Sequence, residues 1–223
     1  GAGVALGDVV AEVEKLLADY PAPDGVDLEV GGTVEDQGDA FGDLGTLLIL
    51  IVILVYIVMA TQFESLLFPF IIMFTIPFAF TGVFLALWMT STPLSLIALI
   101  GAIMLVGIVT KNGIVMVDYM NLLVERGSGV FDAVIAGGKS RLRPVLMTSF
   151  TTILGMLPLA IGTGAGSETW QPMGIAVIGG LTFSTILTLF IVPVLYSILV
   201  NRSQRKEREK LARLSAEHQA SKH

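Results

Sequence analysis

Cysteine is absent from the 223 residues, and the two histidines, His218 and His223, both lie near the C-terminus. Without cysteine there is neither a disulfide framework nor a thiol nucleophile, and two terminal histidines cannot build a zinc site. Charge is scarce as well. Only 14% of residues are Asp, Glu, Lys or Arg, against roughly a quarter in soluble chains. With 54% hydrophobic residues and a mean hydropathy of +0.81, that scarcity excludes a soluble domain with a conventional core. It equally excludes a disordered chain.

What is present is a series of long apolar blocks. Five are long enough to cross about 30 Å of hydrocarbon, at about 44–60, 66–89, 94–119, 145–161 and 173–200. The expected fold class is therefore membrane all-α, with five transmembrane helices. Pro144 and Pro172 are placed to open the fourth and fifth spans, since proline at a first helical position loses no intrahelical bond. Pro77 and Pro158 fall inside spans and predict kinks, which neighbouring helices can accommodate.

The formal charge of −6 conceals an asymmetry: residues 1–43 hold eleven acids and one base, Lys15. Residues 119–144 hold four bases and two acids, and residues 201–223 hold seven bases and three acids. Lys and Arg mark the cytoplasmic side of a membrane protein. The 119–144 loop and the C-terminal tail are thus expected inside, and the loops at 90–93 and 162–171, which lack Lys and Arg, outside. Five spans then put the acidic N-terminal segment outside too. The basic residues flank membrane spans without interleaved aromatics, so no nucleic-acid partner is expected; the lipid bilayer is.

The chain starts with Gly1 and carries no signal peptide, although its N-terminal segment is expected to be translocated. The reading is the C-terminal part of a longer polypeptide. Residues 8–19 predict a helix from the spacing of Val9, Val10, Val13, Leu16 and Leu17, and 26–30 alternate as a strand after the Pro21–Gly25 break. One helix and one strand cannot form a core alone. The domain division is 1–35 as the end of an extramembrane α+β subdomain, 36–200 as the membrane domain and 201–223 as a basic tail. That tail predicts a helix near anionic lipid.

Lys111 is the most informative residue. It lies between the apolar runs LSLIALIGAIMLVGIVT and GIVMV, where an ammonium costs from about 3 to more than 10 kcal/mol. Snorkelling to the rim is the bland alternative, but Asn112 adds a second polar group at that depth, which favours an interior, paired lysine. Asp118 is seven residues further on the same face, about 10.5 Å along the axis, too far for direct contact. No other acid falls within the five spans, so the counter-carboxylate is expected from outside this segment. Thr148, Ser149, Thr151 and Thr152 crowd one half of the fourth span; each singly reads as back-bonded or as packing, and gains a relay role only beside Lys111. Arg141 and Arg143 read first as topological anchors, preceded by an amphipathic stretch (Val130, Phe131, Val134, Ile135) expected in the interface plane. Ala176, Gly180, Ser184 and Thr188 recur every fourth residue as a stripe for close helix packing. The run GTGAGSE at 162–168 lacks the Gly-Lys-Ser/Thr ending of a phosphate loop. Nothing in the sequence calls for a metal, a cofactor or an enzymatic activity.

Five motifs in order, QFESLLFPFIIMFTIP (62–77), VGIVTKNGIVMVDY (106–119), RLRPVLMTS (141–149), GTGAGSETWQPMGIAVIGG (162–180) and STILTLFIVPVLY (184–196), resemble the C-terminal half of resistance-nodulation-division (RND) efflux permeases. The likeness is nearest to the hydrophobe/amphiphile efflux branch. It implies the last five helices of a twelve-helix permease, with residues 1–35 as the end of a periplasmic porter subdomain. It implies a bacterial inner membrane, a homotrimer, a periplasmic adaptor and an outer-membrane channel. It further implies that Lys111 pairs with two adjacent aspartates in the missing N-terminal half, with Thr148 and Arg141 in the same proton relay and Asn112, Asp118 and Thr152 beside it. The implied function is proton/substrate antiport of drugs or other amphiphiles. Two other readings fit parts of the pattern: a protein-secretion or lipid-export relative of the same superfamily, and a non-transporting membrane scaffold, which has no need of Lys111.

Overall fold

The computed structural model describes residues 12, 13, 15–17, 33–162 and 167–220. Residues 12, 13 and 15–17 are helical, in the stretch where a helix was expected; the expected strand at 26–30 lies outside the described residues. Six further helices follow: α1 Thr33–Phe63, α2 Leu67–Met73, α3 Ile76–Met89, α4 Leu96–Glu125, α5 Val130–Ile161 and α6 Ser167–Ala220. Among the described residues there is no strand. Five segments are long and apolar enough to cross a membrane: Gly38–Phe63, Leu67–Met89, Leu96–Glu125, Val130–Ile161 and Ser167–Arg202.

The second span is two helices rather than one. α2 ends at Met73, and Phe74 and Thr75 link it to α3, whose first turn contains Pro77. Proline removes a backbone donor and so permits the break. Thr75 is buried, and its hydroxyl and backbone N–H both donate to the Ile72 carbonyl, at 2.6 and 3.0 Å. α4 is capped by Ser95, whose side chain accepts from the Ala98 N–H, and its far end closes through Gly127 at φ 91. α5 ends at Gly162, left-handed at φ 71, the usual helix stop for a residue without Cβ.

Two sequence expectations fail at α5. The helix begins at Val130, not after Pro144, and runs through both Pro144 and Pro158 to Ile161. The connection from α4 shrinks to residues 126–129. Pro144 is exposed and directly follows the exposed Arg143, at the charged end of the span, where water can bond the carbonyl it leaves free. Nor is the amphipathic stretch a separate interfacial helix: Val130 and Ala133 are buried, and Val130 joins the core with Met120 and Val200, while Phe131 faces outward. Pro172 likewise lies inside α6 instead of opening it, and α6 continues through the tail to Ala220.

α6 is the hub, packed against α3, α4 and α5. Small residues set the approach. A Cβ on Gly82 of α3 would stand 2.7 Å from the Gly179 carbonyl of α6, and one on Gly174 would meet the Ala160 backbone nitrogen of α5 at 2.7 Å. The expected stripe of Ala176, Gly180, Ser184 and Thr188 is buried throughout. A Cβ on Gly180 would stand 3.1 Å from the Ala79 carbonyl of α3. This is membrane packing by close backbone approach.

The core divides into two apolar clusters. One gathers Met59, Ile71, Ile72, Met116, Met120 and Tyr196 toward the end that carries the basic 126–143 segment. The other gathers Ala79, Val83, Leu105, Val109, Ala176 and Leu181 toward the opposite end.

Candidate functional site: a polar layer at mid-bundle

Between the two apolar clusters every central helix turns polar. On α4 the clusters stop at Val109 and resume at Met116; on α6 they stop at Leu181 and resume at Val192. The intervening positions include Thr110, Asn112, Ser184, Thr185 and Thr188, all buried, with Ser149 of α5 and Thr75 at the α2–α3 break. Each polar group at such depth requires a partner.

Three of them supply one another. Asn112 Nδ2 donates to Ser149 Oγ at 3.4 Å, and Ser149 Oγ stands 2.9 Å from Thr185 Oγ1. One continuous chain thus crosses α4, α5 and α6. Ser184 instead back-bonds to the Leu181 carbonyl. Thr110 Oγ1 and Thr188 Oγ1 are buried without a hydrogen-bond partner. Hydroxyls left unbonded in an apolar core are the natural seats of internal water.

Lys111 lies in this same layer but on the other side of α4. It is exposed, on a stripe that includes Ile100, Met104, Gly107, Asp118, Leu122 and Glu125. These positions recur at helical spacing, so α4 presents one unpartnered face with the ammonium near its middle. Lys111 makes no ion pair or hydrogen bond among the described residues. Asp118 shares that face but belongs to a cleft of about 280 Å³ at the helix end, with Gln62, Glu64, Asn121 and Glu125.

The hydroxyls on α5 are back-bonded. Thr148 donates to the Val145 carbonyl at 3.0 Å, Thr151 to Met147 at 2.8 Å and Thr152 to Thr148 at 2.9 Å. Thr148 is exposed and directly precedes Ser149; Lys111 directly precedes Asn112. The two residues expected to act together therefore adjoin the partners of the Asn112–Ser149 hydrogen bond between α4 and α5. Arg141 packs over the Tyr119 ring, 4.6 Å from its centroid, about two turns from Thr148 along α5. Sequence reasoning passed over Thr185, Thr75, Thr110 and Tyr119. Thr185 sat one position from the recognised small-residue stripe, and only helix register reveals that it turns toward Ser149.

The profile of the AcrB/AcrD/AcrF family matches residues 1–200. The swarming motility protein SwrC of Bacillus subtilis is 38% identical over 89% of this chain and 19% of its own length. The multidrug resistance protein MdtC of Proteus mirabilis is 36% identical over 91% of the chain and 20% of its own. The cobalt-zinc-cadmium resistance protein CzcA of Cupriavidus metallidurans is also 36% identical, over 91% and 19%. A crystal structure of a heavy metal efflux pump, form II, matches with a TM-score of 0.77 at 30% identity, covering 89% of this chain and 20% of that one. The chain spans about a fifth of the length of these relatives. With five apolar helices of spanning length and a family match over 200 residues, this is a multi-pass membrane segment of an RND permease: the chain belongs to the AcrB/AcrD/AcrF family.

Proposed function

We propose that this segment is the lysine-bearing part of a proton-driven RND efflux transporter. The observation that carries the reading is Lys111: a cation at mid-bundle, on an exposed stripe of α4, the only acid within the apolar blocks 44–60, 66–89, 94–119, 145–161 and 173–200 being Asp118, two turns away and out of direct reach. An ammonium at that depth is costly unless it is paired, so the stripe is the docking face for the remainder of the polypeptide, which supplies paired aspartates. Protonation of those aspartates weakens their attraction for Lys111, and α4 shifts against α5 about the Asn112–Ser149 contact. Thr148 and Arg141 act on the same path. The basic 126–143 segment and the tail lie in the cytoplasm, and the acidic N-terminal segment on the opposite side. Homotrimer assembly, an adaptor and an outer channel belong to the same reading.

The exported substrate is an amphiphile. Metal-cation export is the second reading, favoured by the identity to CzcA and by the likeness to a heavy metal efflux pump. Both share the Lys111 device, since selection belongs to sequence outside this chain. The test uses the full-length protein. Lys111→Ala abolishes export of dyes and of divalent metal alike, at unchanged membrane abundance. Normal export by that variant removes the proposal, and which of the two substrates the wild-type protein exports tells the two readings apart.

A further inference from the structure

At the end of the bundle opposite the basic segment, α3 and α5 both cross α6 closely and then diverge. The crossings are at Gly82 on Gly179 and at Ala160 on Gly174. Between them opens a groove of about 720 Å³, with Met89, Leu157, Ile161, Ile175 and Ile178 among its walls. This volume is in the range of small-molecule sites. Its mouth is polar: Thr90, Ser91 and Thr92 on one side, Glu168 and Gln171 on the other. The Gln171 amide is tied to the Ala160 carbonyl at 3.0 Å, and Glu168 is the single ionisable side chain of the lining.

We infer that this groove binds a zwitterionic aminophospholipid, phosphatidylethanolamine, with its ammonium on Glu168 and an acyl chain between α3 and α5. Three observations identify the occupant. The two tryptophans of the chain, Trp88 and Trp170, directly precede the lining residues Met89 and Gln171 and are 79% and 49% exposed. Tryptophan at a helix end marks the headgroup level of a bilayer, so Glu168, two residues before Trp170, stands at headgroup depth with the apolar walls below it. An occupant with charge at that depth and hydrocarbon beneath it is a membrane lipid. The lining contains a carboxylate and no base, and residues 90–93 and 162–171 contain no Lys or Arg. An anionic lipid therefore finds no counter-charge, while a primary ammonium finds one carboxylate and three hydroxyls. Glu168 also occupies the first turn of α6, beside the free backbone N–H groups of the helix start. The inference needs only a membrane-embedded bundle and is independent of the transport proposal.

Native mass spectrometry of the delipidated full-length protein, titrated separately with phosphatidylethanolamine, phosphatidylglycerol and tetraphenylphosphonium, tests it. Wild-type protein retains one phosphatidylethanolamine per protomer that Glu168→Gln releases with about fivefold weaker affinity, the scale of one headgroup-level charge contact. Leu157→Trp, which fills the groove from an exposed position, releases it too, whereas Glu168→Asp keeps it. Phosphatidylglycerol binding is the same in all four proteins. Equal phosphatidylethanolamine retention by wild type, Glu168→Gln and Leu157→Trp overturns the site. A change in tetraphenylphosphonium binding without one in phosphatidylethanolamine overturns the lipid assignment in favour of a soluble organic cation.

Discussion

The guanidinium of Arg141 stands 4.6 Å from the centroid of the Tyr119 ring, and its Nε, buried, has no hydrogen-bond partner among the described residues. The ring face attracts the cation and holds α5, three turns from its start, against α4. It cannot satisfy an in-plane N–H. Arg141 is thus fixed in position while one donor remains uncommitted, an arrangement suited to an acceptor supplied by another part of the protein. Arg143, two residues away, is exposed and serves as the natural control.

Tyr119→Phe keeps the ring, and full-length protein carrying it should export at the wild-type rate. Tyr119→Leu removes the quadrupole. A cation–π contact of about 1 kcal/mol corresponds to roughly a fivefold loss, so export should fall by about that factor, with Arg143→Gln nearly silent. Vesicle efflux rates at matched protein level check this; equal rates for Phe and Leu would show that Arg141 needs no aromatic platform.

The Asn112–Ser149–Thr185 chain predicts a stability cycle. Buried hydrogen bonds between membrane helices are worth about 0.6 kcal/mol on average and up to about 1.7. Ser149 touches both partners, so Ser149→Ala should cost near the upper figure and Thr185→Val about half of it. Because both substitutions delete the same 2.9 Å contact, the double variant should cost less than their sum. Unfolding in mixed micelles measures each; strict additivity would mean that the two hydroxyls do not interact.

Packing at Gly82 is equally specific. A Cβ there would lie 2.6 Å from the Phe183 Cβ and 2.7 Å from the Gly179 carbonyl, so backbone must move. Gly82→Ala should destabilise by about 1–3 kcal/mol. Gly155 has nothing within 4 Å of the added carbon, and Gly155→Ala should be neutral or slightly stabilising from helix propensity. The ratio of folded to aggregated protein after detergent extraction distinguishes the two.

How much of this was legible beforehand depends on which force acts. The five spans were, because covering a bilayer takes about twenty apolar residues in a row. So was the small-residue stripe, whose four-residue period appears directly in the sequence. The break at Phe74–Thr75 was signalled by Pro77, since proline acts on the residues just before it. Pro144 misled for the same reason: proline warns of a break, but on an exposed face the helix passes through it. The polar layer was only half visible. Lys111 stands out alone against an apolar run, whereas the meeting of Asn112, Ser149 and Thr185 depends on the relative depth of three helices, which no single span encodes.

Thr148 and Thr152 give the sharpest discrimination between a packing role and a relay role. Both are threonines on α5, and both donate to a carbonyl of the preceding turn at nearly equal length, 3.0 Å and 2.9 Å. If those bonds are all that the hydroxyls do, Thr148→Ala and Thr152→Ala should leave transport alike. They differ in neighbourhood: Thr148 adjoins Ser149, the residue that bonds Asn112 next to Lys111, while Thr152 is one turn removed. Under the relay proposal Thr148→Ala should slow proton-coupled export about 100-fold, the low end of what a positioned proton-transfer group contributes. Thr148→Ser should restore most of the rate because the oxygen returns, and Thr152→Ala should stay within about twofold of wild type. Full export by both alanine variants would assign the α5 hydroxyls to helix packing and leave Lys111 without a partner on that helix.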